Sequence, residues 1–257
     1  MVDYIKVLFD PLISAPKEIL ITYYLMGQID YTLKLQLKLQ KSSMLHVHRF
    51  TFNAFQENSY VIYNETADCC IIDPGCNSSI EEKQLIHFIQ QKKLNPVYLL
   101  NTHCHLDHIF GNRFIADHYG LKLHIHPEEQ NVLRFGPASA SMYQQQLNIY
   151  DGEILFIDEI DIIKMGDDEM SILFTPGHSP GSISFYSKAE KFIISGDVLF
   201  EGSIGRTDLP GGNFEILALS IRKKLYTLPE DVIVHPGHGD STNIGVEMTT
   251  NPFVQVD

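Results

Sequence analysis

From Met44 onward, short apolar runs alternate with longer stretches whose apolar residues recur at helical spacing. The runs read as strands, and residues 79–93 read as an amphipathic helix behind a plausible cap. The first strands are predicted at residues 45–50, 59–63, 70–75 and 97–101. Such alternation is typical of α/β layers rather than of an all-β sandwich, so we predict an α/β fold.

The second half of the chain continues this pattern. Helices are predicted at Asn112–Tyr119, Pro127–Phe135 and Asn213–Leu225, and strands at Lys122–His126, in several runs after Glu153 and at residues 231–234. Residues 136–152 show little apolar periodicity. They contain Pro137, several serines and a run of glutamines. We interpret this segment as a mobile loop or lid.

Residues 1–43 differ from the remainder of the chain. They contain no histidine, show only weak alternation and lack the turn residues found downstream. We therefore predict a dispensable N-terminal extension at 1–43, consistent with translation from a start codon upstream of the native one, and a functional domain at 44–257.

Composition narrows the set of partners. The net charge of −13 argues against nucleic acid or an anionic membrane as a partner. The four cysteines show no C-x-x-C spacing, and no apolar run is long enough to cross a bilayer. We expect a cytoplasmic protein that acts on a small molecule.

Four separate apolar runs end in side chains that commonly bind metals. These side chains are His103, His105, Asp107 and His108 after the first run, then His178, Asp197 and His238 after the other three. Imidazole and carboxylate are ligands for zinc, iron and manganese. Since strands of one sandwich can end at a common edge, we expect these residues to converge there.

The spacing H-x-H-x-D-H, followed by P-G-H, G-D and a final G-H, resembles the metallo-β-lactamase superfamily. The resemblance covers Met44 to Phe253 and implies an αββα four-layer sandwich with a two-metal site at the edge of its sheets. It implies that one divalent ion is bound by His103, His105 and His178, a second by Asp107, His108 and His238, and both by Asp197. Zinc is the metal we expect first, with iron or manganese as alternatives.

Within the superfamily, the chain is most similar to glyoxalase II-like hydroxyacylglutathione hydrolases, particularly their short, single-domain bacterial members. The stretches that carry this similarity are residues 55–60, 72–75, 196–212 and 236–253. It implies hydrolysis of a lactoylglutathione-type thioester by a hydroxide shared between the metals, with Asp107 as the catalytic residue that holds its proton. Because the chain ends soon after His238, the helical domain that contacts glutathione in full-length glyoxalase II is not expected here.

Other activities of the same superfamily remain open at this point. A mononuclear iron persulfide dioxygenase would use only the equivalents of His103, His178 and Asp197. A lactone, β-lactam or phosphodiester hydrolase would use the same two-metal site with a different pocket.

Several further residues have two readings. Asp73 forms a turn but could also accept a hydrogen bond from a ligand imidazole. His126 lies at a strand end and could support the site, whereas His235 competes with His238, which we prefer because a Pro-Gly turn precedes it. Arg206 is expected to pair with Asp208, or alternatively to contact a substrate carboxylate. The remaining assignments are a buried thiol for Cys104, core positions for Phe114, Tyr119 and Phe135, and a substrate mouth near Tyr143 and Tyr150.

Overall fold

The structure is a computed structural model, and it describes residues 44–255. The strands are β1 (His46–Phe52), β2 (Glu57–Tyr63), β3 (Asp68–Ile72), β4 (Asn95–Leu100), β5 (Leu123–Ile125), β6 (Ile154–Phe156), β7 (Ile162–Met165), β8 (Asp168–Phe174), β9 (Ile183–Ser187), β10 (Phe192–Gly196), β11 (Leu199–Phe200), β12 (Ser203–Ile204), β13 (Ile233–Pro236) and β14 (Thr242–Asn243). The α-helices are α1 (Ser79–Lys92), α2 (Leu106–Ile109), α3 (Asn112–Tyr119), α4 (Gln130–Met142), α5 (Phe214–Ser220) and α6 (Ile244–Thr250). A 3₁₀ turn (Pro127–Glu129) precedes α4, and a π-helical turn (Ile221–Leu225) follows α5. The extension predicted at residues 1–43 lies outside the described residues.

Two six-stranded sheets form the centre of the domain. Their strand orders are β1-β2-β3-β4-β5-β6 and β14-β13-β10-β9-β8-β7. The pairs β3–β4, β4–β5, β5–β6 and β10–β13 are parallel. Parallel neighbours finish at the same edge of a sheet, so the loops that leave these strands are brought together.

Neighbouring residues of single strands enter different cores, because side chains alternate across a strand. In β3, Ile71 packs in the cluster that contains Leu85 of α1, whereas Ile72 packs between the sheets with Phe185 of β9. In β10, Ile194 joins the same central core. Its neighbour Ile193 packs in a third cluster, with residues of α5 and α6.

These clusters define four layers in the order helix, sheet, sheet, helix. The predicted αββα sandwich is confirmed. Strands buried on both faces also explain why their sequences read as continuous apolar runs rather than as alternating ones.

The loop predicted at residues 136–152 is wrong in its first part, since α4 continues to Met142. The helix packs tightly at Gly136. A Cβ added to this residue would be 3.0 Å from Leu147 Cδ2 and 3.1 Å from Ile109 Cδ1. Packing this close stabilises the helix despite its unfavourable Gly136 and Pro137, so tertiary contact outweighs local propensity. Phe135 is 51% exposed, and its predicted core position is also wrong.

Within residues 44–255, none of the helices combines the length and apolar character that a membrane span requires.

Candidate metal centre

The loops that follow β4, β8, β10 and β13 meet at one edge of the two sheets. Asp197 directly follows β10, and His238 lies two residues after β13, its parallel neighbour. The loop after β4 carries His103, His105, Asp107 and His108, and the loop after β8 carries His178. The structure therefore brings together all seven side chains that the sequence pattern singled out.

Three of these side chains form what we call the first triad, His103, His105 and His178. Each offers one ring nitrogen, and the three nitrogens lie within 4.8 Å of one another. His105 Nδ1 is 2.8 Å from His178 Nε2. Nitrogens gathered this closely form a group of the size that a single metal ion occupies.

The second triad consists of Asp107, His108 and His238, whose ligand atoms also lie within 4.8 Å of one another. His238 Nε2 is 3.1 Å from Asp107 Oδ2, and His108 Nε2 is 3.8 Å from the same oxygen. Asp197 lies between the triads. Its carboxylate oxygens are 3.4 Å from His178 Nε2 on one side and 3.5 Å from the Nε2 atoms of His108 and His238 on the other.

Unpartnered buried atoms test whether these residues suit metal ions. His103 Nε2, His108 Nε2 and Asp197 Oδ1 are buried and have no hydrogen-bond partner among the described residues. Buried polar atoms without partners are costly, and their clustering in a set of nitrogens and carboxylate oxygens fits divalent cations. The donor set therefore matches the expected cofactor in both its chemistry and its geometry.

The two triads differ in their electrostatics. Burial lowers the pKa of all three imidazoles of the first triad, that of His105 to about 3, so these rings are neutral near pH 7. Burial acts in the same direction on His108 and His238, but the carboxylates of Asp107 and Asp197 outweigh it and raise the pKa of both rings. Protons therefore compete with a cation more strongly at the second triad than at the first.

Buried hydrogen bonds orient the ligand candidates. Asp73 accepts from Thr102 N at 2.7 Å, from Thr102 Oγ1 at 2.6 Å and from Asn101 Nδ2 at 3.1 Å, and its Oδ2 lies 3.1 Å from His108 Nδ1. The predicted contact between Asp73 and a ligand imidazole is thus present. His178 Nδ1 lies 2.7 Å from the carbonyl oxygen of Arg206, which turns its other nitrogen toward the cluster.

Glycine is required where the chain approaches the cluster most closely. A Cβ on Gly237 would lie 2.1 Å from Asp197 Oδ1 and 2.7 Å from His108 Cε1. The competing His235 lies away from the cluster, with Nδ1 2.8 Å from Ser241 Oγ. The preference for the histidine after the Pro-Gly turn therefore agrees with the geometry.

Comparison with known proteins identifies the family. Residues 52–238 match the family model of the metallo-beta-lactamase superfamily. The chain belongs to this superfamily. A relative in Haemophilus influenzae, the hydroxyacylglutathione hydrolase GloC, is 36% identical over 212 residues, which cover 82% of this chain and 98% of the relative.

Two solved structures are similar in both fold and sequence. The BLEG-1 B3 metallo-beta-lactamase is 35% identical, with a TM-score of 0.73 and coverage of 81% of this chain and 99% of the other. TTHA1623 in a di-iron-bound form is 32% identical, with a TM-score of 0.73 and coverage of 81% and 100%. The chain is therefore a metallo-beta-lactamase superfamily hydrolase.

Glu129 joins the two loops that carry the first triad, and the sequence pattern gave no sign of this role. Glu129 is fully buried and accepts hydrogen bonds from Cys104 N at 2.7 Å, Ser179 Oγ at 2.5 Å and Gly181 N at 2.7 Å. Burial raises the pKa of its carboxyl, and these three hydrogen bonds offset part of that shift. Glu129 thus ties the loop of His103 to the loop of His178.

Glu57 is a second buried acid that sequence reasoning missed. Its Oε1 lies 3.8 Å from His108 Nδ1, and its Oε2 accepts from Ser59 Oγ at 2.8 Å. Burial raises the pKa of this carboxyl well above its usual value, although the charge of His108 opposes the shift. No local pattern marks either glutamate, because their partners are supplied by other loops.

A cavity of about 840 Å³ opens directly beside the cluster. Its walls include residues of both triads, the exposed face of α4 and the 200–211 segment. Arg206 lies on the wall and makes the predicted ion pair with Asp208, with two contacts of 2.7 Å. Tyr143 lines the cavity as anticipated, whereas Tyr150 is buried and donates to the carbonyl of Glu153.

His126 was a candidate to support the site because it lies at a strand end, but its contacts are elsewhere. Its ring stacks on Phe174 with centroids 4.5 Å apart, and its Nδ1 accepts from Glu128 N to cap the 3₁₀ turn. It is a packing and capping residue.

Proposed function

We propose that this protein is a binuclear metal-dependent hydrolase of thioesters of the hydroxyacylglutathione type. The observation that carries the proposal is the pair of triads joined by Asp197, beside a cavity large enough for an organic substrate. The similarity to the hydroxyacylglutathione hydrolase GloC supports the thioester as the bond that is cleaved.

The geometry supports one assignment of ligands to two metal ions. The first triad would hold one ion, the second triad the other, and Asp197 both. When bound, two divalent ions supply Lewis acidity that polarises a carbonyl oxygen and lowers the pKa of water. Zinc is the metal expected first, and iron or manganese suits the same nitrogen and oxygen donors. The di-iron form of TTHA1623 is a reason to test iron directly.

Asp107 is the proposed catalytic residue. Its Oδ2 is 3.1 Å from His238 Nε2, and its carboxylate borders the cavity that a substrate would enter. The nearby charge of His108 and the hydrogen bond from His238 lower its pKa although burial opposes them. An ionised carboxylate there can accept a proton as water adds to the carbonyl.

Cys104 is a poor candidate for a covalent mechanism. Its side chain is 1% exposed, and burial raises the pKa of the thiol well above its usual value. A neutral, inaccessible thiol is a weak nucleophile. The buried thiol inferred from sequence therefore agrees with direct attack by water.

Two other activities are compared with the proposal. A mononuclear iron persulfide dioxygenase would need only His103, His178 and Asp197, and it would leave the second triad without a role. β-Lactam hydrolysis is favoured by one observation, the 35% identity to the BLEG-1 B3 metallo-beta-lactamase.

The test combines metal analysis of the purified protein with turnover of S-lactoylglutathione and of a β-lactam. We expect two ions per chain and thioester hydrolysis. His105→Ala should lower turnover by more than about 100-fold, because altering a residue that merely orients a ligand already costs about 10–100-fold. His87→Ala, on the exposed face of α1, is the matched control and should retain activity.

One iron per chain, with oxygen consumed in the presence of glutathione persulfide and no thioester cleaved, would overturn the proposal. Substantial turnover by His105→Ala would refute the assigned site.

A further inference from the structure

The cavity beside the metal cluster has an apolar wall built from one face of α4. Val132, Phe135 and Met142 line it, at spacings of three and seven residues that place them on one side of the helix. Tyr143, at the end of α4, extends this wall and packs edge-on against Phe55, with ring centroids 5.5 Å apart.

Three of these side chains are unusually exposed to solvent for large apolar groups. Phe135 is 51% exposed, Met142 72% and Tyr143 43%. Leaving large apolar side chains in water forgoes their burial energy, and a contiguous apolar wall beside a reactive site is typical of a ligand pocket. Four residues from outside α4 add further apolar surface to the cavity: Phe200, Ile204, Leu209 and Pro210.

Away from the metal cluster, the charge distribution of the cavity disfavours an anionic group. Among the described residues that line it, Arg206 is the one lysine or arginine, and both its Nε and one terminal nitrogen are engaged by Asp208. Because Asp107 and Asp197 are proposed metal ligands, Glu128 is the carboxylate that lines this space away from the metal cluster among the described residues. Glutathione carries two carboxylates at neutral pH, and these are better solvated in water than against such walls.

From these observations we infer that the cavity takes the acyl group of the substrate and selects apolar, uncharged acyl chains, an inference that rests on the proposed thioester hydrolysis. The preferred substrate class is a medium-chain or aromatic acyl thioester. Its carrier thiol contributes little to recognition, because the charged parts of a carrier find few complementary groups on the described walls.

The test is a series of straight-chain acyl thioesters from acetyl to octanoyl on N-acetylcysteamine, an uncharged carrier, compared with S-lactoylglutathione. Each added methylene that enters the cavity should raise kcat/KM by about fourfold, the factor that corresponds to about 0.8 kcal/mol per buried methylene. Hexanoyl thioester should therefore be cleaved with a higher kcat/KM than S-lactoylglutathione.

A variant pair assigns the effect to the wall. Phe135→Ser should reduce the rise per methylene, so that its loss of kcat/KM grows with chain length. Phe156→Ser is the matched control, since Phe156 is 48% exposed in β6 and is not part of the cavity wall. It should leave the rise per methylene unchanged.

The outcomes separate the two proposals. Hydrolysis of all thioesters with no dependence on chain length, or with S-lactoylglutathione preferred over hexanoyl thioester by tenfold or more, overturns the inference and leaves the proposed function standing. An equal effect of Phe135→Ser and Phe156→Ser also overturns it. Failure of the metal-loaded protein to cleave any thioester overturns the proposed function and the inference with it.

Discussion

Glu129 offers the sharpest test of how the site is held together. Its carboxylate is fully buried and accepts three hydrogen bonds, two of them from backbone amides in different loops. Glu129→Gln keeps one oxygen and replaces the other with an amide donor. In either orientation of the new amide, at least one buried donor then faces another donor instead of an acceptor.

The magnitude follows from that count. A hydrogen bond to a charged group contributes about 1.5–3 kcal/mol, so Glu129→Gln should lower the free energy of unfolding by about 2 kcal/mol. Glu129→Ala leaves all three donors unsatisfied and should cost at least about 3 kcal/mol, at about 1–3 kcal/mol for each donor. Against a typical total of about 5–15 kcal/mol, the glutamine variant still folds and is the informative one.

Urea unfolding followed by circular dichroism measures the change. Glu128→Gln is the matched control, because the same substitution at the exposed neighbour should stay within about 0.5 kcal/mol of wild type. Since Glu129 joins the loops of His103 and His178, Glu129→Gln should also weaken metal binding by about 10-fold. Equal unfolding free energies for the two variants would refute this account of Glu129.

Two further predictions concern residues near the cluster. Asp73→Asn should weaken metal binding by about 10–100-fold while the protein stays folded, because the buried carboxylate that orients His108 is lost. Competition with a chromogenic chelator measures the metal affinity. An affinity equal to that of the wild type would contradict the prediction. His235 has its pKa lowered to about 4, mainly by burial and further by the charge of Arg49. The unfolded chain, with a histidine pKa near 6.5, therefore binds more protons below that pH, and stability is lost as pH falls from about 6.5 to about 4. Relative to wild type, His235→Gln should gain at most about 3 kcal/mol of unfolding free energy between pH 7 and pH 4; urea unfolding at several pH values checks this, and parallel profiles would count against it.

The α/β layering and the candidate site could be read from sequence because both depend on local patterns. Apolar runs identify strands, and α1 was predicted at 79–93 and found at Ser79–Lys92, where its Ser78 side chain accepts from Glu81 N. The helix α4 could not be bounded in this way. Its Gly136 and Pro137 oppose helix formation locally, and only packing against Leu147 and Ile109 favours it.

The amino-acid sequence by itself determined which chemistry this protein carries, because imidazoles and carboxylates stand at the ends of four apolar runs with spacing typical of one superfamily. Tertiary structure decided how they are grouped and supported. It placed His238 rather than His235 at the cluster, joined two loops through Glu129, and turned one face of α4 into a cavity wall. These contacts link residues dozens of positions apart, and a local pattern does not encode which distant side chain will complete a hydrogen bond or line a cavity.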